Sequence, residues 1–209
     1  DIYFKESTDK QNEISLNFNG EIIGFLKLFV LSSPELDFSD LLINSKSILE
    51  QSASVEFKVQ NLKGEWKAES ISGKSVFECS LKLENHGKKT LKLTRLDTFA
   101  FNLIHQNWKV TYFSSDWGDE YSAKNISLDN GATFGVHSGR SSHGENPVIY
   151  LVREDDGFCI IIAPAWSGNW HIEISKAGFI RAGISPYHLE VPIKPSEKLE
   201  APIGIIMNS

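Results

Sequence analysis

Residues 76–94 have the sequence VFECSLKLENHGKKTLKLT, in which two alternating runs of apolar and polar residues flank a turn. The runs are Cys79-Ser80-Leu81-Lys82-Leu83 and Leu91-Lys92-Leu93-Thr94. Successive side chains of a strand point to opposite faces, so this period of two is typical of strands with one face in a core and the other in water. Asn85-His86-Gly87 tolerates positive φ, as a turn requires. The stretch therefore predicts two β-strands joined by a turn.

The same pattern extends outward in both directions along the chain. Further alternating runs lie at residues 14–18, 55–59, 172–174 and 189–191. Turn sequences separate the runs, namely Asn19-Gly20, Ser72-Gly73, Asn130-Gly131 and Asp156-Gly157. Two of them, Asn19-Gly20 and Asp156-Gly157, lie between apolar runs, which is a strong signal for a β-hairpin. We therefore predict hairpins at these two positions.

Only residues 39–49, after Pro34, have apolar residues near helical spacing, and this segment predicts one short helix. Many short strands with at most one short helix indicate an all-β fold, a large antiparallel β-sandwich. No repeat or Pro/Gly/Ser linker divides the sequence, so we expect a single domain over residues 1–209. Because the last predicted strand, Ile203–Met207, runs almost to the final residue, we expect this chain to be a piece of a longer protein.

The amino-acid composition and charge limit the kinds of molecule that this chain is expected to bind. Of the 209 residues, 41% are hydrophobic and 23% are charged, which is enough apolar material for a core without metals or disulfides. The formal charge of -6 argues against a nucleic-acid partner, which would need a basic face. No apolar run approaches the roughly 18 residues that span a bilayer, so we expect a soluble protein without a membrane partner. The N-terminal residues lack signal-peptide features. We expect a cytoplasmic location.

Cys79 and Cys159 both lie in strand-like apolar runs. Free cysteine in such a run usually behaves as a small buried hydrophobe, and we favour that interpretation. A disulfide between the two stays open, because bridging depends on the distance between their Cα atoms.

Six segments in the last two thirds of the chain form an ordered set of motifs. They are Glu84–Leu93 (ENHGKKTLKL), Trp117–Glu120 (WGDE), Ser138–Pro147 (SGRSSHGENP), Trp166–Trp170 (WSGNW), Ala182–Pro186 (AGISP) and Glu200–Ile205 (EAPIGI). In this order they resemble the N-terminal domain of glycoside hydrolase family 36, the α-galactosidases and their relatives. The resemblance runs from about Phe77 to the end, and the first 75 residues match poorly.

The resemblance implies a β-supersandwich that precedes a catalytic (β/α)8 barrel, and a hairpin at Glu84–Leu93. It also implies that the two catalytic aspartates lie in that barrel and act by a retaining mechanism, for which the carboxyl groups must be about 5 Å apart. Because the sequence contains no barrel, we assign no catalytic residue, no cofactor and no metal to it. The implied partners are the barrel of the parent chain, α-galactosides and, as an open alternative, further copies of the chain.

The motifs supply eight candidate residues for substrate or interdomain contact. They are Trp117, Arg140, Ser142, His143, Asn146, Trp166, Asn169 and Trp170. Arginine and small hydroxyl residues between two glycines could bind sugar hydroxyls, but they also suit a loop pinned to a sandwich edge or to a neighbouring domain, which we favour. Tryptophan faces stack on galactose-type sugars, yet core packing is their commoner role. Trp117, in the polar stretch 114–122, is the tryptophan that we expect to be exposed.

Other kinds of site have little support in the sequence. The six histidines show no HxH or HExxH spacing, so we predict no metal site. No Gly-x-Ser-x-Gly elbow indicates a hydrolytic triad. Asp116, Asp119 and Glu120 are expected to form a solvated acidic loop and not an acid/base pair. Three functional hypotheses follow: a non-catalytic scaffold domain of an α-galactosidase-like enzyme, which we favour, a free-standing carbohydrate-binding module that uses exposed tryptophans, and a sandwich domain that serves assembly only and has no sugar role.

Overall fold

A computed structural model describes residues 2–6, 13–71, 75–104, 107–140 and 142–208. The predicted turn at Ser72-Gly73, together with His105 and Ser141, lies outside the described residues. Within them the chain forms nineteen strands and a single turn of 3-10 helix at Phe38–Asp40.

The strands are numbered in chain order. The first ten are β1 (Ile2–Glu6), β2 (Ile14–Phe18), β3 (Glu21–Ser32), β4 (Leu42–Leu49), β5 (Ser52–Val59), β6 (Leu62–Ser70), β7 (Val76–Asn85), β8 (Leu91–Leu93), β9 (Arg95–Leu103) and β10 (Trp108–Asp116). The remaining nine are β11 (Asp119–Ser127), β12 (Ala132–Gly135), β13 (Gly144–Arg153), β14 (Cys159–Ala165), β15 (Trp170–Ile174), β16 (Phe179–Ile184), β17 (Val191–Ile193), β18 (Lys198–Glu200) and β19 (Ile203–Asn208).

Two large antiparallel sheets account for most of these strands. The seven-stranded sheet has the order β1-β2-β3-β9-β16-β15-β12. The ten-stranded sheet has the order β11-β10-β13-β14-β19-β7-β6-β5-β4, with β18 also paired to β7. β8 and β17 form a small separate sheet. The predicted all-β antiparallel sandwich is confirmed.

The core lies between the two large sheets, and alternation places its side chains there. In β5, Val55, Phe57 and Val59 are buried, while Glu56 and Lys58 between them are exposed. The buried apolar side chains form one cluster with contributions from both sheets. Removing this apolar surface from water is the main stabilising contribution to such a sandwich.

Specific contacts tie the sheets together. The indole N–H of Trp66 in β6 donates a hydrogen bond to the carbonyl of Thr98 in β9 at 2.9 Å. The ring of Phe99, also in β9, lies over Gly204 in β19, where an added Cβ would be 2.2 Å from Phe99 Cδ1. Because real carbon atoms pack at about 3.5–4.0 Å, only glycine fits beneath this ring.

Both predicted hairpins are confirmed. Asn19-Gly20 joins β2 to β3, and both residues have positive φ (47° and 89°), as a tight hairpin turn requires. Asp156-Gly157 lies in the connection between β13 and β14, which pair from Ile149↔Ile162 to Val152↔Cys159.

The helix predicted for residues 39–49 is wrong. Residues 42–49 form strand β4, an edge strand of the ten-stranded sheet. The pairing with β5 shifts register between Ile43 and Ser45, so one residue of β4 is bulged out of the ladder. The bulge changes the phase of the apolar pattern, which then mimics the spacing of a helix.

The hairpin implied at Glu84–Leu93 is also wrong. β8 follows β7 in the chain but pairs with β17, about a hundred residues later. The side chain of Asn85 redirects the chain, because its Nδ2 donates to the carbonyls of Lys89 and Ile193, each at 2.8 Å, and its Oδ1 accepts the Gly87 N–H at 2.8 Å. A fully buried amide with three partners explains the Glu-Asn-His-Gly sequence without a hairpin.

The two cysteines are free thiols. Cys79 is buried, and burial raises the pKa of its thiol to about 12. Cys159 is half-buried, and burial raises its pKa as well. The prediction that they act as small buried apolar residues is confirmed for Cys79, whereas Cys159 is only partly buried.

Candidate functional site

The most exposed aromatic side chain of the protein is at the tip of the β10–β11 hairpin. Trp117 and Gly118 form the turn, and Gly118 has a φ of 79°, which glycine adopts without strain. The Trp117 indole is 98% exposed, as the sequence predicts. The Trp117 N–H donates to the Asp116 carboxylate at 2.7 Å, which fixes the turn. β11 is the edge strand of its sheet, so the hairpin tip is open to solvent.

The loop before β13 lies beside this hairpin. It contains Gly139 and Gly144, with φ values of 81° and 95°. Gly139 N–H donates to Asn169 Oδ1 at 2.6 Å, and His143 N–H donates to the Arg140 carbonyl at 3.1 Å. The first bond anchors the loop on the turn before β15, and the second closes a turn within the loop. The side chains of Arg140, Ser142 and His143 are all exposed.

Asn146 joins the loop to the hairpin. Its side chain is buried, and Nδ2 donates to the Phe113 carbonyl at 3.4 Å and to Ser115 Oγ at 3.2 Å. Both acceptors belong to β10, whereas Asn146 belongs to β13. The amide therefore cross-links the two strands and contributes to the floor of the site.

The hairpin and the loop enclose an open cleft of about 1030 Å³. Its walls combine aromatic rings with charged and neutral polar groups. The lining residues are Tyr112, Ser114, Ser115, Asp116, Trp117, Glu120, Tyr121, Lys124, Arg140, Ser142, His143, Gly144, Glu145 and Asn146. Donors, acceptors and aromatic faces in one groove suit a polar ligand that carries hydroxyl groups, or a polar protein surface.

Glu145 is the partly buried acid of the cleft. Its Oε2 accepts the Gly135 N–H at 2.6 Å. Burial raises the pKa of Glu145, while the bond from Gly135 and the charge of Lys124 act in the opposite direction. Burial favours the neutral acid over the charged carboxylate, and the hydrogen bond from the Gly135 N–H partly offsets this effect.

The structure brings five of the eight predicted residues into the cleft. They are Trp117, Arg140, Ser142, His143 and Asn146. Asn169 does not line the cleft, although it anchors the loop through Gly139. Trp166 is 39% exposed but lies outside the cleft, with its indole against Gly168.

The predicted substrate or interdomain contact of Trp170 is wrong. Its side chain is fully buried in the core, in β15 of the seven-stranded sheet. A side chain in this position cannot stack on a sugar or contact another domain. The WSGNW turn thus has one partly exposed tryptophan and one core tryptophan, because the strand that begins at Trp170 directs its first side chain inward.

Sequence reasoning missed Tyr112, Tyr121, Lys124 and Glu145. The signal that could have found two of them is strand register, since Tyr112 of β10 lies opposite Lys124 of β11. Likewise Glu145 of β13 lies opposite Ser114 of β10. Directly opposed residues share a face of the sheet, so the register places these side chains beside each other.

In the described part of the chain, no group of three or more His, Cys, Asp or Glu residues is arranged to hold a metal ion. His171 is a buried structural residue whose Nε2 pairs with Asp97 Oδ1 at 2.5 Å. No helix in the described residues is long and apolar enough to cross a membrane.

The fold and the cleft together define a β-sandwich domain with an open polar groove at one sheet edge. Residues 51–194 match the family model described as the glycosyl hydrolase family 36 N-terminal domain. The match covers more than half of the chain, which therefore belongs to this domain family.

Relatives support the same assignment. Alpha-galactosidase 2 of Hypocrea jecorina is 27% identical over 139 residues, which cover 62% of this chain and 19% of that protein. The whole chain superimposes on 30% of the GH36 α-galactosidase AgaA of Geobacillus stearothermophilus, with a TM-score of 0.68 and 19% identity. It also superimposes on 30% of the α-galactosidase of Lactobacillus brevis, with a TM-score of 0.69 and 19% identity. The chain thus spans less than a third of the length of these relatives.

Proposed function

We propose that this chain, as a single domain over residues 1–209, is the non-catalytic N-terminal part of an α-galactosidase-like glycoside hydrolase. In this role it supports a catalytic (β/α)8 barrel of the same protein. The observation that carries the proposal is the family match over residues 51–194. In agreement with it, the whole of this chain superimposes on less than a third of each α-galactosidase structure.

The carboxylates of the cleft favour a non-catalytic role. Of the three carboxylates that line the cleft, Asp116, Glu120 and Glu145, two hold backbone in place: Asp116 accepts the Trp117 N–H and Glu145 accepts the Gly135 N–H. A retaining glycosidase needs one carboxylate free to attack the anomeric carbon and a second to act as acid and base. Two carboxylates that fix a turn and a strand end are poorly suited to those steps.

The finer part of the proposal concerns the cleft. The 98% exposed indole of Trp117 and the 67% exposed ring of Tyr121 lie in the same cleft, and grouped exposed aromatic rings are typical of a contact with another molecule or domain. We propose that the Trp117 hairpin and the Arg140–Asn146 loop contact the barrel at the rim of its active site. In that position the hydroxyl-binding groups of the cleft would face the α-galactoside.

The experiment uses the longer protein that contains this chain and its barrel. With an aryl α-galactoside, we expect Trp117→Ala to change kcat or KM at least about threefold in a variant that circular dichroism shows to be folded, since the side chain has almost no contacts to lose within its own domain. Trp166→Ala, outside the cleft, is the matched control. The isolated chain should be inactive. Enzyme-like hydrolysis by the isolated chain would disprove the scaffold role, and unchanged kinetics in Trp117→Ala would disprove the rim contact.

A free-standing carbohydrate-binding module is the second candidate, favoured by the exposed rings of Trp117 and Tyr121 in the same cleft. It predicts that the isolated chain binds galactose, melibiose or raffinose in calorimetry and that Trp117→Ala abolishes the heat, because one stacked ring accounts for about 1–3 kcal/mol in comparable aromatic contacts. Absence of heat with all three sugars would remove this candidate.

We also propose a cytoplasmic location. Two free cysteines fit a reducing compartment, where disulfides rarely persist. Fractionation of the source cells tests it, and recovery of the protein from an extracellular fraction would contradict it.

A further inference from the structure

Tyr121, which lines the same cleft as Trp117, has a backbone conformation that L-residues rarely adopt. Its φ is 57°, in the left-handed region. For a bulky residue such an angle is a genuine outlier, because the Cβ atom comes too close to the following carbonyl oxygen. Five other non-glycine residues of the described chain have a positive φ, namely Asn19, Leu28, Gln60, His188 and Ser196. None of these five lines the cleft.

Tyr121 lies in a β-bulge of the hairpin. The pairing of β10 with β11 shifts register between Ser114 and Asp116. Glu120 and Tyr121 of β11 therefore lie opposite one residue of β10, Ser115. A bulge redirects side chains that regular alternation would place on opposite faces of the sheet. Glu120 and Tyr121 accordingly both line the cleft, although they are adjacent in the sequence.

Hydrogen bonds to one hydroxyl group hold the bulge in place. The Tyr121 N–H donates to Ser115 Oγ at 3.4 Å, and Nδ2 of the buried Asn146 donates to the same oxygen at 3.2 Å. The Ser115 hydroxyl thus connects β10, β11 and β13. A strained residue persists only where its surroundings determine its conformation, and these contacts among three strands do so.

The folded domain gains little from the side chain of Tyr121. The residue is 67% exposed, so little of its apolar surface leaves the water on folding. Glycine in its place would adopt the same φ without strain. Backbone strain concentrates at binding sites, where it fixes a group in advance of the ligand. A strained backbone that carries an exposed ring in a cleft therefore indicates a role in binding.

We propose that Tyr121 is a substrate-contact residue of the cleft and that the strained bulge holds its ring ready for the α-galactoside. The ring offers a flat apolar face and a hydroxyl group at its edge, which suit the C–H groups and the hydroxyls of a pyranose. Because the bulge fixes the residue before the ligand arrives, binding loses less conformational entropy. The inference rests on the proposed contact of the cleft with the active-site rim and identifies a residue that acts there.

Two substitutions separate the ring of Tyr121 from the strain of its backbone. Tyr121→Gly removes both, whereas Tyr121→Ala removes the ring and keeps the Cβ atom that causes the strain. In the 209-residue chain we expect the thermal midpoint of Tyr121→Gly to lie about 2–5 °C above that of Tyr121→Ala. A glycine variant no more stable than the alanine variant would show that the backbone is not strained, and would overturn the proposal.

The contact itself is tested in the longer protein that contains the barrel. With an aryl α-galactoside, Tyr121→Gly and Tyr121→Ala should both raise KM about threefold or more, because they remove a contact made in the ground state and the transition state alike. Tyr121→Phe keeps the ring and the strain, so its KM should rise less than in either of them. If Tyr121 were merely structural, the more stable glycine variant would have the lower KM of the two. That result, or an unchanged KM in both, would overturn the proposal.

Gln60→Gly is the matched control for the relief of strain. Gln60 is exposed, has a φ of 50° and lies in the turn between β5 and β6, outside the cleft. Its glycine variant should also be more stable than Gln60→Ala, but KM should not change. A KM raised by Gln60→Gly as well would attribute the effect to the backbone and overturn the proposal.

Trp117→Ala distinguishes this inference from the proposed function. If Trp117→Ala alters the kinetics while Tyr121→Gly and Tyr121→Ala leave KM unchanged, only the role of Tyr121 is refuted. If none of the three variants alters the kinetics, the contact of the cleft with the active-site rim is refuted as well.

Discussion

Replacing Gly204 with alanine tests how closely the two sheets are packed. The added Cβ would lie 2.2 Å from Phe99 Cδ1 and 2.6 Å from Phe99 Cε1, well inside van der Waals contact. Either the ring must leave its position or β19 must move away from β9. Phe99 is fully buried, so the ring has little room to move.

We expect Gly204→Ala to lower the free energy of unfolding by about 3 kcal/mol, the upper part of the range for overpacked cores. For a domain of this size this corresponds to a fall of about 6–12 °C in the thermal midpoint. Phe99→Leu alone should cost about 1–2 kcal/mol for the cavity. In the double variant the clash disappears, so its cost should be smaller than the sum of the single costs by about 1–2 kcal/mol.

Urea unfolding of the parent and the three variants measures this coupling. Gly20→Ala is the control, because Gly20 has a φ of 89° and an added Cβ there would meet no atom within 4 Å. Its cost of about 1–2 kcal/mol comes from backbone strain alone, so Phe99→Leu should not relieve it. Additive costs of Gly204→Ala and Phe99→Leu, to within about 0.5 kcal/mol, would refute the reasoning.

Three further predictions concern polar groups. Asn85→Ala should lower the free energy of unfolding in urea by about 2–3 kcal/mol, because a buried amide loses its partners, and a cost below about 1 kcal/mol would contradict this. Hydrogen bonds from Arg153 lower the pKa of Asp156 from 3.8 to about 2, so the folded state releases this proton more readily than the unfolded state. The stabilisation is therefore present above pH about 4 and lost as the pH falls towards 2, and thermal midpoints of Asp156→Asn and the parent should converge over that window. Equal midpoints at every pH would count against the ion pair. Burial raises the pKa of Glu145 in the folded state. Above that pKa the buried carboxylate destabilises the folded protein, and this destabilisation disappears as the pH falls and Glu145 becomes protonated. Glu145→Gln, which keeps an acceptor for Gly135, should raise the thermal midpoint at pH 7 and not at acidic pH, and a lower midpoint at pH 7 would contradict this.

Local chemistry accounts for the parts of the fold that were predictable. Asn19-Gly20 and Asp156-Gly157 accept positive φ between apolar runs, so the turns could be located without knowledge of the rest of the molecule. In β5 and β7, the alternation of apolar and polar residues likewise shows directly which face of the strand is buried.

The two wrong predictions, the helix at residues 39–49 and the hairpin at Glu84–Leu93, have causes that a local sequence pattern does not show. One bulged residue, Asn44, shifts the alternation of β4 and gives its apolar residues the spacing of a helix. The partner of β8 is β17, and no local signal indicates a strand about a hundred residues away.

The candidate site likewise has one part that the sequence predicts and another that it does not. The exposure of Trp117 follows from the polar stretch around it, whereas the burial of Trp170 depends on which face of β15 meets the other sheet. Tyr112, Lys124 and Glu145 join the cleft through cross-strand register, which a single motif does not show.

The order of the ten-stranded sheet keeps its two exposed edges independent. Eight inter-strand spacings of about 4.8 Å, roughly 38 Å in all, separate the hairpin that carries Trp117 from β4. A molecule bound in the cleft beside Trp117 therefore does not reach the β4 margin of the sheet. Substitutions at the two margins can then be combined in a single chain, and their effects on stability should simply add.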